Sequence, residues 1–353
     1  MPPFVPPEMR SILQAAVCAP SADNHHCFAL NVSSDRFALS GNTEFLRSPY
    51  HRKILSLISF GAAAECMIIR AAALGYRAGA TWQPDPLQSG RIVELRFTRT
   101  EPCATAWDSA IERRHTNRRV FFSGPRLGSA DLTQFAQRLD GLDGIALKFF
   151  DSGPERSALL RLVAIAEAER FNTRALHHDL FSSIRFDVGW HSSADDGLPP
   201  AALGVEPGTR WLFSQLRRWP LVNALRHFGV HRLIGSRAAY LPCRLAPHRG
   251  VLTTSRGIEQ GAVVAGRALQ RIWLEAETRG LAFQPLAGAA LLALPGYHDV
   301  PSSTSERLRR GWKTLTDDTP VLVFRLGRAP RPAIRTKRRP VENYVREWTL
   351  TKP

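Results

Sequence analysis

Apolar and polar residues follow regular patterns along much of this chain, and these patterns predict its helices and strands. Alternation at 91–97 predicts a strand, and apolar residues at helical spacing over 154–171 predict the clearest amphipathic helix. A short hairpin is predicted with strands 28–32 and 36–39 and a turn at 33–35. Further helices are predicted at 8–18, 105–114, 131–139 and 210–219, and further strands at 146–150 and 320–326.

Two segments about two hundred residues apart have the same pattern. Residues 61–76 align without gaps to residues 266–281, and each segment runs from glycine to glycine over the same spacing with no proline. The second glycines, Gly75 and Gly280, stand where a helix ends in a left-handed residue, and an apolar residue follows each. The occurrence of one helical pattern at two places in the chain predicts a duplicated half-domain with a site between the two halves.

Composition indicates a folded chain of two domains or one large one. The chain has 353 residues and 44% apolar content, which is enough for a sizeable core. No apolar run reaches the roughly 20 residues of a membrane span, so no integral membrane segment is expected. The N-terminus has no secretion-signal pattern, and the five cysteines are scattered without a Cys-x-x-Cys pair. Reduced thiols and a cytoplasmic location are therefore expected.

Positive charge is high but spread along the chain. The formal net charge is +16, and arginine has replaced lysine at most basic positions, with clusters only near 113–119 and 331–339. This favours local anion sites over a nucleic-acid partner. The dinucleotide-binding glycine motif, the P-loop, the zincin motif and the serine-hydrolase elbow are all absent from the sequence, which argues against those enzyme classes.

Three segments could carry chemistry. The loop 19–28 presents small hydrogen-bonding side chains after a helix, although such residues also make plain turns. Residues 112–121 concentrate four arginines with a histidine and a threonine, which suits either a phosphate cradle or a solvated basic turn. The arm 335–340 is a second basic cluster. The histidines at 25, 26, 177 and 178 are poor candidate metal ligands because they form adjacent pairs without suitable partners, so no metal site is predicted.

These segments, in this order, resemble the nitroreductase superfamily of flavin mononucleotide (FMN) proteins, and more closely its single-chain tandem (Acg-like) branch. Four motifs carry the resemblance: a Pro-Ser-x-x-Asn loop against the flavin ring, a basic phosphate motif, a segment past the flavin N5, and a C-terminal basic pair. The resemblance implies that the cofactor is bound by Pro20, Ser21, Asn24, Arg114, His115, Thr116, Arg118, Pro285, Leu286, Ala287, Gly288, Lys337, Arg338 and Arg339.

The resemblance also implies an architecture. We expect an α+β fold with a central, mostly antiparallel sheet wrapped by helices and two half-domains forming a pseudo-dimer in one chain. The first half is expected at 1–100 and the second at 101–353, with a lid-like insertion at about 175–250 and a basic arm at 331–353. The resemblance implies FMN as the cofactor, NADH or NADPH as a possible electron donor, and a small-molecule acceptor. A monomer is expected because one chain carries both halves.

Two departures from the family pattern leave two functions open. His25, His26 and Cys27 stand where the family usually has Gln-Pro-Trp, and Ala287 replaces an acidic residue common in the dimeric enzymes. One hypothesis is an NAD(P)H oxidoreductase in which the flavin carries the chemistry and no side chain is assigned as catalytic. The alternative is a non-catalytic protein that sequesters FMN under a lid.

Overall fold

Two mostly antiparallel sheets form the framework of the fold. It is described by a computed structural model for residues 6–33 and 36–347, so the predicted turn residues 34–35 and the end of the arm, 348–353, lie outside the described residues. The strands are β1 (Phe28–Val32), β2 (Arg36–Gly41), β3 (Tyr76–Trp82), β4 (Arg91–Arg99), β5 (Ile145–Phe149), β6 (His248–Thr254), β7 (Ala282–Leu286), β8 (Thr319–Gly327) and β9 (Val345–Glu347).

Helices surround both sheets. The longest are two central helices and one helix of the second half, and the rest are short. They are α1 (Pro7–Val17), α2 (Thr43–Arg47), α3 (Tyr50–Ala73), α4 (Pro86–Ser89), α5 (Ala106–Arg113), α6 (Ser129–Gln137), α7 (Gly153–Asn172), α8 (Arg174–Ser182), α9 (Arg210–Gln215), α10 (Trp219–Arg226), α11 (Val230–Gly235), α12 (Leu241–Leu245), α13 (Ile258–Thr278), α14 (Gly288–Leu291) and α15 (Ser302–Lys313).

The two sheets have the same topology. The first has the strand order β3-β4-β2-β1-β9, and the second has the order β7-β8-β6-β5. In each, a first strand pair is followed by a long helix and a second pair, and all pairings within these four-strand units are antiparallel. The α+β class is confirmed, and the matching strand orders agree with the expected two halves, but the expected single central sheet is divided into two.

The repeated helices α3 and α13 pack on each other through their equivalent glycines. A Cβ added at Gly61 would lie 1.9 Å from the Val263 carbonyl oxygen, and one added at Gly266 would lie 1.9 Å from the Ile58 carbonyl oxygen. Only glycine permits this reciprocal backbone approach. Both helices then end as predicted, since Gly75 and Gly280 have positive φ angles of 78° and 67°.

The crossing of α3 and α13 forms the centre of the core. Glu65 of α3 is buried and accepts hydrogen bonds from Arg267 (2.7 Å) and Arg271 (2.6 Å) of α13. Within the described residues, α3 is the one helix long and apolar enough to cross a membrane, but most of it is buried. Its apolar length reflects its place at the centre of the fold, against α1 and α13.

The halves differ mainly in one connection. Residues 33–35 join β1 to β2, whereas residues 150–247, carrying α7 to α12, join the corresponding strands β5 and β6. The predicted insertion at 175–250 falls inside this connection except for its last residues, which begin β6. The predicted helix 210–219 is divided into α9 and α10, because Pro220 has no N–H to bond to the Leu216 carbonyl; a new helix begins at Trp219 after the extended Arg218.

The C-terminal arm crosses to the first sheet. Its strand β9 pairs in parallel with β1, and the Leu30 N–H donates a hydrogen bond to the Tyr344 carbonyl. The arm therefore runs past the loop that joins α1 to β1. The half boundaries at 100 and 101 stay a prediction.

Candidate functional site

The loop after α1 is held in an unusual backbone conformation. Asp23 and Asn24 have φ angles of 53° and 61°, in the left-handed region that aspartate and asparagine tolerate better than most residues. Asp23 is fixed by Arg52, whose Nη1 donates to its carboxylate at 2.6 Å. Arg52 also donates from Nε to Asp179 of α8 at 2.9 Å. This loop is therefore tied both to α3 and to the long connection.

Arg114 reaches the same loop from the end of α5. Its Nη2 donates to the Cys18 carbonyl at 3.0 Å, and its guanidinium lies 4.3 Å from the centre of the Trp273 ring. The side chain is buried, its Nε has no hydrogen-bond partner, and it makes no ion pair with a carboxylate of the described residues. Burial, followed by the nearby charge of Arg338, lowers the pKa of Arg114 to about 9. The guanidinium stays protonated at neutral pH and lacks a counter-charge.

Arg338 meets this loop from the C-terminal arm. It donates to the Asn24 side-chain oxygen and, from Nη2, to the Ala19 carbonyl at 3.2 Å. Burial lowers the pKa of Arg338, its Nε has no partner, and no carboxylate of the described residues pairs with it. The buried Ser21 hydroxyl also has no hydrogen-bond partner.

These orphaned groups fit a bound anion. A buried cation needs a counter-charge, and a phosphate offers oxygens that accept from guanidinium and hydroxyl donors. The charge of Arg338 acts on Arg114, and both side chains donate to backbone carbonyls of the segment 18–24. The structure thus brings together the loop, one arginine of the basic segment and one arginine of the arm.

The rest of the basic segment points elsewhere. Arg118 donates from Nη1 to the Ala202 carbonyl at 3.2 Å, and burial lowers its pKa. His115 donates from Nδ1 to the Arg113 carbonyl at 3.1 Å, and its ring lies 4.0 Å from the buried carboxylate of Glu277. Thr116 is half-buried between them. Residues 114–118 therefore do not converge on one anion as a single cradle.

The long connection covers this region with its own backbone. The Asn24 Nδ2 donates to the carbonyls of Ala194 (3.3 Å) and Gly197 (3.1 Å). The Lys337 N–H donates to the Ala194 carbonyl at 2.8 Å, while the Lys337 side chain is exposed. Together with the bond from Arg118 to Ala202, these contacts place the segment 193–204 over the loop and the arm.

The segment predicted to run past the flavin N5 lies at the edge of the second sheet. Pro285 and Leu286 end the edge strand β7, where a missing N–H is tolerated. Ala287 is the residue before α14, and Gly288 is the first residue of that helix. A Cβ added at Gly288 would lie 3.0 Å from Oε1 of Glu167, a buried carboxylate of α7.

A second polar network adjoins the loop on its solvent side. Arg339 of the arm donates to Asp196 at 2.8 Å, and Asp196 lies 2.5 Å from Nδ1 of His25. The other ring nitrogen of His25 lies 2.7 Å from Glu44. Hydrogen bonding with the Cys27 side chain, and then with Asp196 and Glu44, raises the pKa of His25 to about 10.

Two surface cavities of about 540 and 690 Å³ lie beside α8. Both are lined by Arg174 and His178, the first also by His51 and Asp179. None of the residues predicted to bind the cofactor lines either cavity. Buried uncompensated charge identifies a ligand site more specifically than open volume does, so we place the candidate site at Arg114, Arg338 and the loop.

Sequence reasoning missed the residues that the long connection supplies. The buried carboxylate of Glu167 lies beside Gly288, next to Ala287, and Asp196 and Ala194 cover the loop. Asp196 stands in the segment Asp-Gly-Leu-Pro at 196–199, where no cofactor-binding residue was predicted. Glu167 is one polar residue on a helix, and no sequence signal places it beside Gly288.

Comparisons with known proteins place the chain among distant relatives. No protein-family model matches it. It is 26% identical over 369 aligned positions to the uncharacterized protein MT1398 of Mycobacterium tuberculosis, covering 96% of this chain and 49% of that protein. The chain thus spans about half the length of the curated relative that it matches.

Solved structures similar to this chain are nitroreductase-superfamily proteins. Three of them are the FMN-dependent nitroreductase NfnB from Mycobacterium smegmatis in complex with NADPH (15% identity, TM-score 0.39, 69% of this chain and 98% of that chain), nitroreductase A from Vibrio parahaemolyticus (12%, 0.40, 71% and 79%) and a nitroreductase-like family protein from Bacillus cereus (13%, 0.37, 69% and 96%). Identity and TM-score are low in each case, so these likenesses carry no argument about the site.

Proposed function

We propose that this chain binds FMN and acts as an oxidoreductase of nitroreductase type, passing electrons from NADH or NADPH to an electron-poor small molecule. The observation that carries the proposal is a pair of guanidinium groups, the buried Arg114 and the half-buried Arg338, which share one loop and have no carboxylate partner among the described residues. A phosphate monoester supplies the charge and the acceptor oxygens that both side chains lack.

The residues then have separate tasks. Arg114, Arg338 and the Ser21 hydroxyl would hold the phosphate, and the loop from Pro20 to Asn24 would contact the ring system. The segment 285–288 would lie along the ring with Glu167 behind it. When bound, FMN supplies the hydride chemistry, so the protein needs to provide position, electrostatics and exclusion of water.

The cover made by residues 193–204 supports a second candidate, a protein that holds FMN without turnover. Its carbonyls engage Asn24, Lys337 and Arg118, three of the residues predicted to contact the cofactor. A cover anchored at several points favours retention of a ligand over rapid exchange. NADH or NADPH added without oxygen separates the candidates, because bleaching of the yellow colour supports the oxidoreductase and persistent colour supports sequestration.

FMN titration of flavin-stripped protein tests the phosphate site directly. We expect Arg338→Met and Arg114→Met each to weaken FMN binding roughly 10–100-fold, since a hydrogen bond to a charged group contributes about 1.5–3 kcal/mol. Arg310→Met is the matched control, because Arg310 is exposed on α15, which packs on α7. Wild-type protein that is colourless and takes up no FMN would refute both candidates.

A further inference from the structure

The loop departs from the family pattern at His25 and Cys27, and the fold brings a third metal-binding side chain to these two residues. Glu44 stands in the first turn of α2, with its Oε1 2.7 Å from Nε2 of His25. One ligand atom from each of His25, Cys27 and Glu44 lies within 4.8 Å of the others. Imidazole, thiolate and carboxylate are together the ligand types that zinc binds.

The backbone holds this cluster in place. Cys27 directly precedes β1, and its carbonyl accepts a hydrogen bond of 2.8 Å from the Asn42 N–H, the residue before α2. The segments that carry Cys27 and Glu44 are therefore fixed against each other. The Cys27 side chain is buried, while the side chain of Glu44 is 56% exposed and that of His25 is 34% exposed. One coordination position can therefore face solvent.

His25 is also oriented as a zinc ligand commonly is. Its Nδ1 lies 2.5 Å from Asp196, and Asp196 is held in turn by Arg339. A carboxylate on one imidazole nitrogen orients the ring, and a metal ion can bind the other nitrogen by displacing the proton that it shares with Glu44. Nε2 is the nitrogen on the side of Glu44.

We propose that His25, Cys27 and Glu44 bind one zinc ion, with Asp196 as the positioning residue for His25 and one coordination position open to solvent. Tetrahedral zinc with bonds of about 2.0–2.3 Å brings ligand atoms to roughly 3.5 Å from one another. Nε2 of His25 and Oε1 of Glu44, now 2.7 Å apart, must separate to admit the ion, and the exposed Glu44 side chain can do so by rotating. The site is independent of the proposed flavin function, although it adjoins the same loop.

The proposal departs from the prediction that the chain has no metal site. That prediction weighed His25 as a member of an adjacent histidine pair, and His26 points away, with its Nε2 3.1 Å from the Val17 carbonyl. Glu44 is brought near only by the fold.

Metal titration of the full chain after chelator treatment tests the site. With Zn²⁺ alone, calorimetry should give one ion per chain, and Co²⁺ should give a thiolate-to-metal charge-transfer band in a difference spectrum taken at equal flavin content. Cys27→Ser should abolish the band and weaken Zn²⁺ binding on the order of 100-fold. Cys103→Ser, at an exposed cysteine, should change neither.

Two further variants complete the test. Glu44→Gln, at an exposed side chain that cannot affect folding strongly, should weaken Zn²⁺ binding at least about tenfold, and Asp196→Asn should weaken it about 10–100-fold while the cobalt band persists. An unchanged affinity in Cys27→Ser or in Glu44→Gln would overturn the three-ligand site. Absence of stoichiometric Zn²⁺ binding by the wild-type chain would overturn it as well.

Discussion

The two halves of this chain share a frame and differ in one connection. In both halves a first pair of strands is followed by a long helix and a second pair of strands. The two long helices, α3 and α13, pack on each other through Gly61 and Gly266. Yet residues 33–35 are the whole link between β1 and β2 in the first half, whereas residues 150–247 link the corresponding strands in the second. The shared part builds the core, and the unequal part supplies the cover, the carboxylates at 167 and 196, and part of the lining of both surface cavities. The matching sheets and long helices form the scaffold, and the long connection contributes groups to the candidate site.

The largest expected effect comes from a charge that only one of the repeated helices carries. Glu65 is buried between Arg267 and Arg271, whereas the equivalent position in α13 is Gln270. Glu65→Gln leaves two mostly buried cations without a counter-charge and should cost about 3–5 kcal/mol of unfolding free energy in urea. Glu306→Gln, at an exposed position, is the control. A loss below about 1 kcal/mol would show that the ion pairs do not hold the crossing.

The glycine pair tests whether the halves are equivalent at the crossing. Gly61→Ala and Gly266→Ala each force a Cβ into the partner helix backbone and should each cost about 2–3 kcal/mol, despite the better helix propensity of alanine. Chemical unfolding measures both. Gly208→Ala meets nothing within 4 Å and should be near neutral. Costs that differ widely between the two glycines would break the pseudo-two-fold comparison.

A smaller effect should follow from loosening the cover that only the second half has. Gly197 has a φ of 74°, and a Cβ there would also meet Arg185 at 2.7 Å. Gly197→Ala should therefore strain the segment 193–204 by about 1–2 kcal/mol and speed FMN release up to roughly tenfold. Stopped-flow dilution of FMN-loaded protein measures this rate. An unchanged or slower release would mean that the segment does not cover the ligand.

The smallest effect is expected at Gln270. Its side-chain amide is fully buried, and neither its nitrogen nor its oxygen has a hydrogen-bond partner. Gln270→Leu removes two unsatisfied groups and should leave unfolding free energy unchanged or raise it by about 1 kcal/mol. Thermal unfolding is the measurement. A clear loss of stability would show that this amide has a partner, as the equivalent Glu65 of α3 does.

Most of the local structure could be predicted from the sequence. The alternation at 91–97 and the helical spacing at 154–171 correspond to β4 and α7, because both patterns follow from which side of an element is buried. That Gly75 and Gly280 end their helices in the left-handed conformation was predicted from their position after a helical pattern. The division of the sheet was not, because strand periodicity says nothing about which strands pair.

The candidate site was less accessible to sequence reasoning. Arg114, Arg338 and Asn24 were predicted to act together, and the structure brings them to one loop. Arg118 was predicted to act with them, but its guanidinium donates to the Ala202 carbonyl instead. The contacts of Glu44 with His25 and of Glu167 with Gly288 depend on tertiary packing, so neighbouring residues in the sequence carry no sign of them.

The central claim is that two halves with the same strand order together form one FMN site. The number of FMN molecules bound per chain tests it most directly. Arg114 and Arg338 meet at one loop only, so titration of flavin-stripped protein, followed by absorbance, should saturate at one FMN per chain. The double variant Arg114→Met with Arg338→Met should lose that binding. Saturation at two per chain, or tight binding that survives in the double variant, would contradict the account.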